Sequence, residues 1–230
     1  MDTVALQTLQ RTAEWKWTAG AAVNHRDARR IALHHVLVEP HAIVASDDYR
    51  LRLTHLDTGV TEPTTIAASP KHIQSDNVQW PEYQRLFPRN QVGTCYIDDA
   101  GPIRELYDQV AATMTDTERK RRKDNRPTII ILIQRDDAAP CSADGRRPLT
   151  MTGGLASTNG EDRPQITMPF PGRYNAKSEG AFRWAANGAF LVDTLKWANR
   201  FTFTDKHSPA EFGNGTGKRI ELIMPMFVNW

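Results

Sequence analysis

The feature that most constrains this chain is an order of elements that occurs twice: helix, basic loop, apolar strand. In the first half, Asp2 or Thr3 can cap a helix in which Leu6, Leu9, Ala13 and Trp17 recur at intervals of three and four, ending near Gly20. Asn24 to Arg30, NHRDARR, is a short basic loop, and Ile31 to Val38 is apolar and partly β-branched, which reads as a strand. In the second half, Asp98 or Asp99 caps a helix with Ile103, Leu106, Tyr107, Val110 and Met114 on one face. The basic run 119–123 follows, and then the strand Thr128 to Ile133. A repeat of pattern rather than of residues still implies a repeat of structure. The fold class expected is α+β, with helices packed on antiparallel sheets in two domains, 1–94 and 95–230.

Between and after these repeats the signals are local. Pro40 turns the first strand, Ala42 to Ala45 begins the next, and Asp47-Asp48 is a turn before Leu51, Leu53 and Leu56. Ser69-Pro70 can open a short helix. Trp80 to Pro88, WPEYQRLFP, is pinned by proline near both ends. The region 141–180 is rich in Gly, Pro, Ser, Thr and Asn and reads as a loop-rich insertion. Asn187 can cap a last helix carrying Phe190, Leu191, Leu195, Trp197 and Ala198. Strands around Phe201 to Thr204 and Arg219 to Met224 close the chain, with the Gly-rich turn 213–217 between them. Pro225 stops the final strand, because proline has no N–H with which to continue a ladder.

Hydrophobic residues make up 40% and charged residues 24% of the 230, enough for a folded core. Cys95 and Cys141 lack metal-like spacing, so a reducing cytoplasm is the expectation. No apolar run has transmembrane length, and MDTVALQTLQRT is no signal peptide. The net charge is only +2, so local basic patches matter more than the total.

Enzymatic readings find few parts. Phe212 to Arg219, FGNGTGKR, fails the phosphate-loop spacing, since Phe212 stands at the first glycine and Arg219 at the hydroxyl position. A hairpin turn explains it better. His34 and His35 are adjacent and would point to opposite faces of a strand. Asp47-Asp48 and Asp136-Asp137 could hold magnesium for nuclease chemistry, but nothing supplies a third ligand at a definite place. No cofactor or metal is expected.

Four stretches, in order, carry a family resemblance. Ala45-Ser46-Asp47-Asp48-Tyr49-Arg50-Leu51 is similar to A-T-D-G-H-R-L. Trp80-Pro81-Glu82-Tyr83 with Arg85, Leu86 and Pro88 is similar to F-P-D-Y-x-R-x-x-P. Phe190 to Leu195 is similar to Y-L-L-D-A-L, and Ile223-Met224-Pro225-Met226 to a closing V-M-P-M. Together they resemble the middle and last domains of the bacterial DNA polymerase III beta subunit, the sliding clamp. A counterpart of the family's first domain is absent, the first half is shortened before Trp80, and 141–180 is longer. A phage or mobile-element version would tolerate such changes.

The resemblance implies a ring of six similar domains around duplex DNA, and so a homotrimer of two-domain chains joined head to tail by edge strands. It implies sequence-independent phosphate contacts. The candidates are Arg26, Arg29 and Arg30 in the first basic loop and Arg119, Lys120, Arg121, Arg122 and Lys123 in the second. Arg11, Lys16, Arg104, Lys196 and Arg200 are placed on the helices lining the hole, with Lys196 and Arg200 sharing a helix face. It also implies a groove for short peptides of polymerases and clamp loaders. Ser46, Asp48, Tyr49, Arg50 and Leu51 would line it, with Leu33 a further member. Pro81, Arg85 and Leu86 come from the second motif, and Leu222, Met224, Pro225 and Met226 from the tail. Core packing is the competing reading for Leu51 and Leu222. The function implied is a non-enzymatic processivity factor in the bacterial cytoplasm or nucleoid, loaded by a separate ATP-driven machine. The alternatives are a clamp-like partner-binding protein that does not encircle DNA (a decoy or regulator of clamp ligands) and, more remotely, a metal-dependent nuclease.

Overall fold

The computed structural model describes residues 3–22, 28–69, 78–91, 93–115, 128–136, 138–140, 148–156, 164–176 and 182–227. The chain divides into two compact units. Unit 1 is Met1–Phe87 with Gly213–Leu222, and unit 2 is Pro88–Phe212 with Ile223–Trp230.

Unit 1 opens with two helices, α1 (Thr3–Arg11) and α2 (Ala13–Ala19), where the sequence suggests one. Thr12 makes the break. Its hydroxyl donates to the Leu9 carbonyl at 2.7 Å and accepts from the Trp15 N–H at 3.1 Å, closing one helix and capping the next. Such a cap contributes about 1 kcal/mol. The expected strand from Ile31 also starts late. Ala28–His34 is a 3₁₀ segment, and β1 covers His35–Glu39. The His35 Nδ1 hydrogen-bonds with the Ile31 carbonyl at 2.9 Å, a local bond that holds the turn against extension.

Three more strands follow: β2 (Ala42–Ser46), β3 (Arg50–His55) and β4 (Thr64–Ala67). The last strand of the chain, β13 (Arg219–Ile223), returns to this unit through Leu222, and its sheet runs β4-β1-β2-β3-β13. One face packs Val36, Val38, Ile43 and Ala45 against Leu9 and Trp15. The other packs Leu37, Val44, Leu51, Leu53 and Leu222 with Tyr83. Both faces are buried, which is why β1 and β2 read as continuous apolar runs and not as alternating ones. The helix expected at Ser69-Pro70 lies largely outside the described residues.

Unit 2 contains β5 (Gly93–Ile97), α3 (Gly101–Ala112), β6 (Ile129–Arg135), β7 (Leu149–Leu155), β8 (Ile166–Pro169), β9 (Gly172–Ala176), β10 (Arg183–Asn187), α4 (Gly188–Thr194), β11 (Arg200–Phe203) and β12 (Ala210–Gly213). Asp99 accepts the Gly101 N–H at 2.8 Å at the start of α3, and Asn187 accepts the Ala189 N–H at 2.9 Å at the start of α4. Ile103, Leu106 and Val110 of α3 are fully buried. They meet β7 at Gly153, where an added Cβ would lie 2.8 Å from Val110 Cγ2. One sheet runs β10-β6-β7-β8, and β12-β11-β5-β9 are successive neighbours in a second. Trp184, Phe201 and Phe212 make a mutually contacting aromatic centre.

The region 141–180 is not simply an insertion of loops. β7, β8 and β9 lie within it. Two glycines there serve close packing: Gly153, and Gly172, where an added Cβ would strike the Tyr96 carbonyl oxygen at 2.0 Å. Lys196 and Arg200 do not share a helix face: α4 ends at Thr194, and Arg200 opens β11. The repeat is also richer than the two copies read from sequence. A helix followed by three strands occurs three times in chain order, as α2-β1-β2-β3, α3-β6-β7-β8 and α4-β11-β12-β13. A further strand pairs with the first strand of each: β4 with β1, β10 with β6, and β5 with β11. Unit 1 thus holds one helix and its three following strands, together with the third strand of the last repeat.

Candidate functional site

The first motif forms the turn between β2 and β3. Asp47 accepts the backbone N–H groups of Tyr49 and Arg50 at 3.0 and 2.9 Å, and Ser46 donates to the Arg50 carbonyl at 2.8 Å. Asp48, where the family motif has glycine, takes a positive φ of 74°. Aspartate tolerates this left-handed conformation better than most residues, because its short polar side chain bonds locally. Here that side chain pairs with Arg30. The turn therefore projects Tyr49, which is 64% exposed.

Arg50 is less available than a rim residue would be. Its guanidinium bonds Asp47 at 3.3 Å and the Gly20 carbonyl at 3.2 Å, and lies 3.7 Å from Glu221. Arg52, two residues on and on the same face, bonds Glu221 at 3.0 Å and the Trp17 carbonyl at 3.1 Å. Glu221 is fully buried. The Trp17 ring meets two cations, 4.9 Å from the Arg52 guanidinium carbon and 5.3 Å from that of Arg219. Two arginines thus satisfy one buried carboxylate and tie β3, β13 and the end of α2 together.

The second motif lies against the opposite face of the unit 1 sheet. Tyr83 to Leu86 is a 3₁₀ turn, and the Tyr83 hydroxyl donates to Glu39 at 2.6 Å. Burial, and then the Glu39 carboxylate, hold this phenol well above its ordinary value. Pro81, Arg85 and Leu86 are exposed, and Arg85 pairs with Glu82. A cleft of about 780 Å³ opens beside this segment, lined by Leu37, Glu39, Thr65, Trp80, Pro81 and Tyr83 among others. Sequence reasoning reached only Pro81 of that lining. The tryptophan and tyrosine flanking the proline were a usable signal, because aromatic side chains with a polar edge favour half-wet clefts.

The remaining groove candidates divide by burial. Leu33, Leu51 and Leu222 are core side chains of unit 1. In unit 2, the Met226 N–H bonds the Ala185 carbonyl at 2.8 Å, and its side chain packs on Ile130, Leu132 and Ala185. Met224 and Pro225 are half-buried. The next residue, Phe227, is 74% exposed, with its ring 5.3 Å from that of His207.

Arg11, Lys16 and Arg30 of unit 1 and Arg104, Lys196 and Arg200 of unit 2 are exposed. Lys196 pairs with Asp193 at 2.9 Å. Arg29 is placed by its backbone in the 3₁₀ segment. Arg26 and the run Arg119, Lys120, Arg121, Arg122 and Lys123 lie outside the described residues. Among the described residues, no group of three or more His, Cys, Asp or Glu is placed to hold a metal ion. No described helix is long and apolar enough to cross a membrane.

No known family profile matches the chain, and no curated protein matches it in sequence. Solved structures do match. The DNA polymerase III subunit beta from Pseudomonas aeruginosa aligns over 97% of this chain and 65% of its own, with a TM-score of 0.64 and 17% identity. A DnaN sliding clamp from Bartonella birtlesii, solved bound to griselimycin, covers the same shares at TM-score 0.66 and 13% identity. The DNA polymerase III beta subunit from Thermotoga maritima covers all of this chain at TM-score 0.63 and 14% identity. The chain spans about 65% of the length of the structures it matches. In fold, over nearly its whole length, it is similar to the bacterial DNA polymerase III beta sliding clamps.

Proposed function

We infer that this protein is a non-enzymatic DNA clamp. It forms a ring of identical chains around duplex DNA and presents docking sites to replication proteins. The observation that carries the reading is the clamp fold over 97% of the chain, with all four family-like stretches in order. Exposed Arg11, Lys16 and Arg104 on α1, α2 and α3 supply cations for phosphate contacts that ignore base sequence. Exposed Tyr49, Pro81 and Leu86 of unit 1 offer an apolar anchor surface to partner peptides from a polymerase or a loader. Tethering a polymerase raises its effective concentration at the template. The protein works where the replicated DNA is, and a phage-borne copy would do so in the host cytoplasm.

Three copies follow if each unit counts as one clamp domain. The repeats give a different count. The α3 and α4 repeats follow one another along the chain, and if two such repeats make one clamp domain, six domains contain twelve repeats and four chains of three supply them.

The test is retention on nicked circular plasmid. A ring stays on the closed circle in high salt and leaves when the plasmid is linearised. Loss from the circle in salt, with or without linearisation, would mean a surface binder that docks partners without encircling DNA.

A further inference from the structure

Each repeat ends in a third strand. The third strands of the first and last repeats, β3 and β13, lie side by side in unit 1. They run antiparallel, since the His55 N–H bonds the Lys218 carbonyl at 2.9 Å while Arg52 faces Glu221. The third strand of the middle repeat is β8. Among the described residues it pairs with β7 alone, and its other side is the end of its sheet. We propose that β8 pairs antiparallel with β8 of a second copy of this chain, about a two-fold axis at Thr167.

The hydrogen-bond phase of β8 limits that axis to registers in which outward residues meet, and Thr167, midway between Gln165 and Pro169, is the central one. The Phe170 N–H bonds the Leu149 carbonyl at 2.9 Å, which makes Leu149 and Phe170 a hydrogen-bonded pair. Alternation then turns the backbone groups of Met168 and Ile166 toward β7 and those of Thr167 and Pro169 away from it. The Thr152 and Thr167 hydroxyls, 3.0 Å apart, fit the closer spacing of a pair without backbone bonds. Pro169 has no N–H to offer on the outer side. Thr167 is therefore the outward residue of β8 with both a donor and an acceptor. A strand that meets its own copy antiparallel has one residue opposite itself, and Thr167 opposite Thr167 exchanges both bonds. Pro169 then faces Gln165 of the other copy, where its carbonyl still accepts.

The repeat argues for this edge over the others. β4 is the added strand of its repeat and β9 extends beyond one, so neither matches the position at which β3 and β13 join. An unpaired edge is a template for another strand, and a self-complementary patch gives the two-fold symmetry commonest among homo-oligomers. Such a contact joins two chains with opposite directions around the ring, in place of head-to-tail closure, and it requires an even number of chains. The proposal rests on the reading of the protein as an assembly of copies, and is independent of DNA binding.

The test uses the full chain carrying Cys141→Ser, with Cys95 left buried. Facing residues of a hydrogen-bonded antiparallel pair have Cα atoms about 5.5 Å apart, within disulfide reach. Thr167→Cys should form a disulfide-linked dimer under mild oxidation at least about tenfold faster than Arg173→Cys on the exposed edge β9. Thr167→Pro removes the outward N–H without touching the β7 ladder, and should halve the mass seen by light scattering. If the unsubstituted chain is oligomeric but the two cysteines crosslink at equal rates, or Thr167→Cys does not crosslink, the β8 pairing is overturned and the assembly reading stands. If the unsubstituted chain is a monomer at every concentration, both are overturned.

Discussion

Arg52 and Glu221 are 169 residues apart in the chain and 3.0 Å apart in unit 1, with the carboxylate wholly shut off from water. Their pairing fixes where the final strand returns. Removing Arg52 takes the 3.0 Å bond from a buried carboxylate that keeps Arg50 at 3.7 Å, which costs up to about 3–5 kcal/mol, whereas replacing both Arg52 and Glu221 with apolar groups of similar size costs less. Arg52→Ala should therefore lower the urea midpoint far more than the double change Arg52→Met with Glu221→Leu.

Tyr83 provides a pH test. Its folded-state value is raised above the ordinary 10.0, first by burial and then by Glu39. A raised value means that the neutral phenol stabilises the fold. That contribution is complete below pH 10 and is lost as pH climbs above it. Thermal melts of the unsubstituted protein should fall more steeply above about pH 10 than those of Tyr83→Phe, which has no proton to lose there. At neutral pH, Tyr83→Phe should cost about 1.5–3 kcal/mol through the lost bond to a carboxylate.

Docking and packing separate by exposure. Tyr49→Ala and Leu86→Ala change exposed residues and should leave stability within about 0.5 kcal/mol. Both should weaken capture of a polymerase-derived peptide about tenfold, read by fluorescence anisotropy. Leu51→Ala, at a position 3% exposed, should instead cost about 2–5 kcal/mol by denaturant unfolding.

DNA affinity should respond to charge and not to base sequence. Arg11→Glu, Lys16→Glu and Arg104→Glu should each weaken binding equally on unrelated duplexes and reduce the slope of log affinity against log salt by about one.

The space at Gly153 is set by α3. Gly153→Val would push into Val110 and Leu106, whose side-chain atoms already stand 2.8–3.0 Å from the place of a Cβ. Overpacking of that kind costs about 1–3 kcal/mol. Gly59→Ala has open space but a left-handed φ of 70°, so its smaller penalty arises from backbone strain alone.

The sequence was legible where one local rule acted alone. The Ile103, Leu106 and Val110 stripe, the Asn187 cap and the Asp47-Asp48 turn needed no knowledge of what lay across the fold. It misled where a side-chain contact that periodicity does not encode, local or distant, overrode the pattern. Thr12 sits within an unbroken helical stripe, yet its hydroxyl splits the helix. Gly153 and Gly172 look like loop residues because what they accommodate, a helix and a neighbouring carbonyl, is distant in sequence. Arg52 and Thr54 blurred the alternation of β3, since their side of the strand is as dry as the leucine side. Of the site, the turn around Tyr49 and the exposed Pro81 and Leu86 could be read from motifs. The engagement of Arg50 with Asp47 and Gly20, and the cleft beside Trp80, could not, because each depends on residues with no motif of their own.

The most direct measurement is cryo-electron microscopy of the purified protein on duplex DNA. A closed ring of several chains, with duplex passing through it and the α1, α2 and α3 faces turned inward, is the predicted result. Isolated chains, or an assembly whose opening is too narrow for a duplex, would contradict the account.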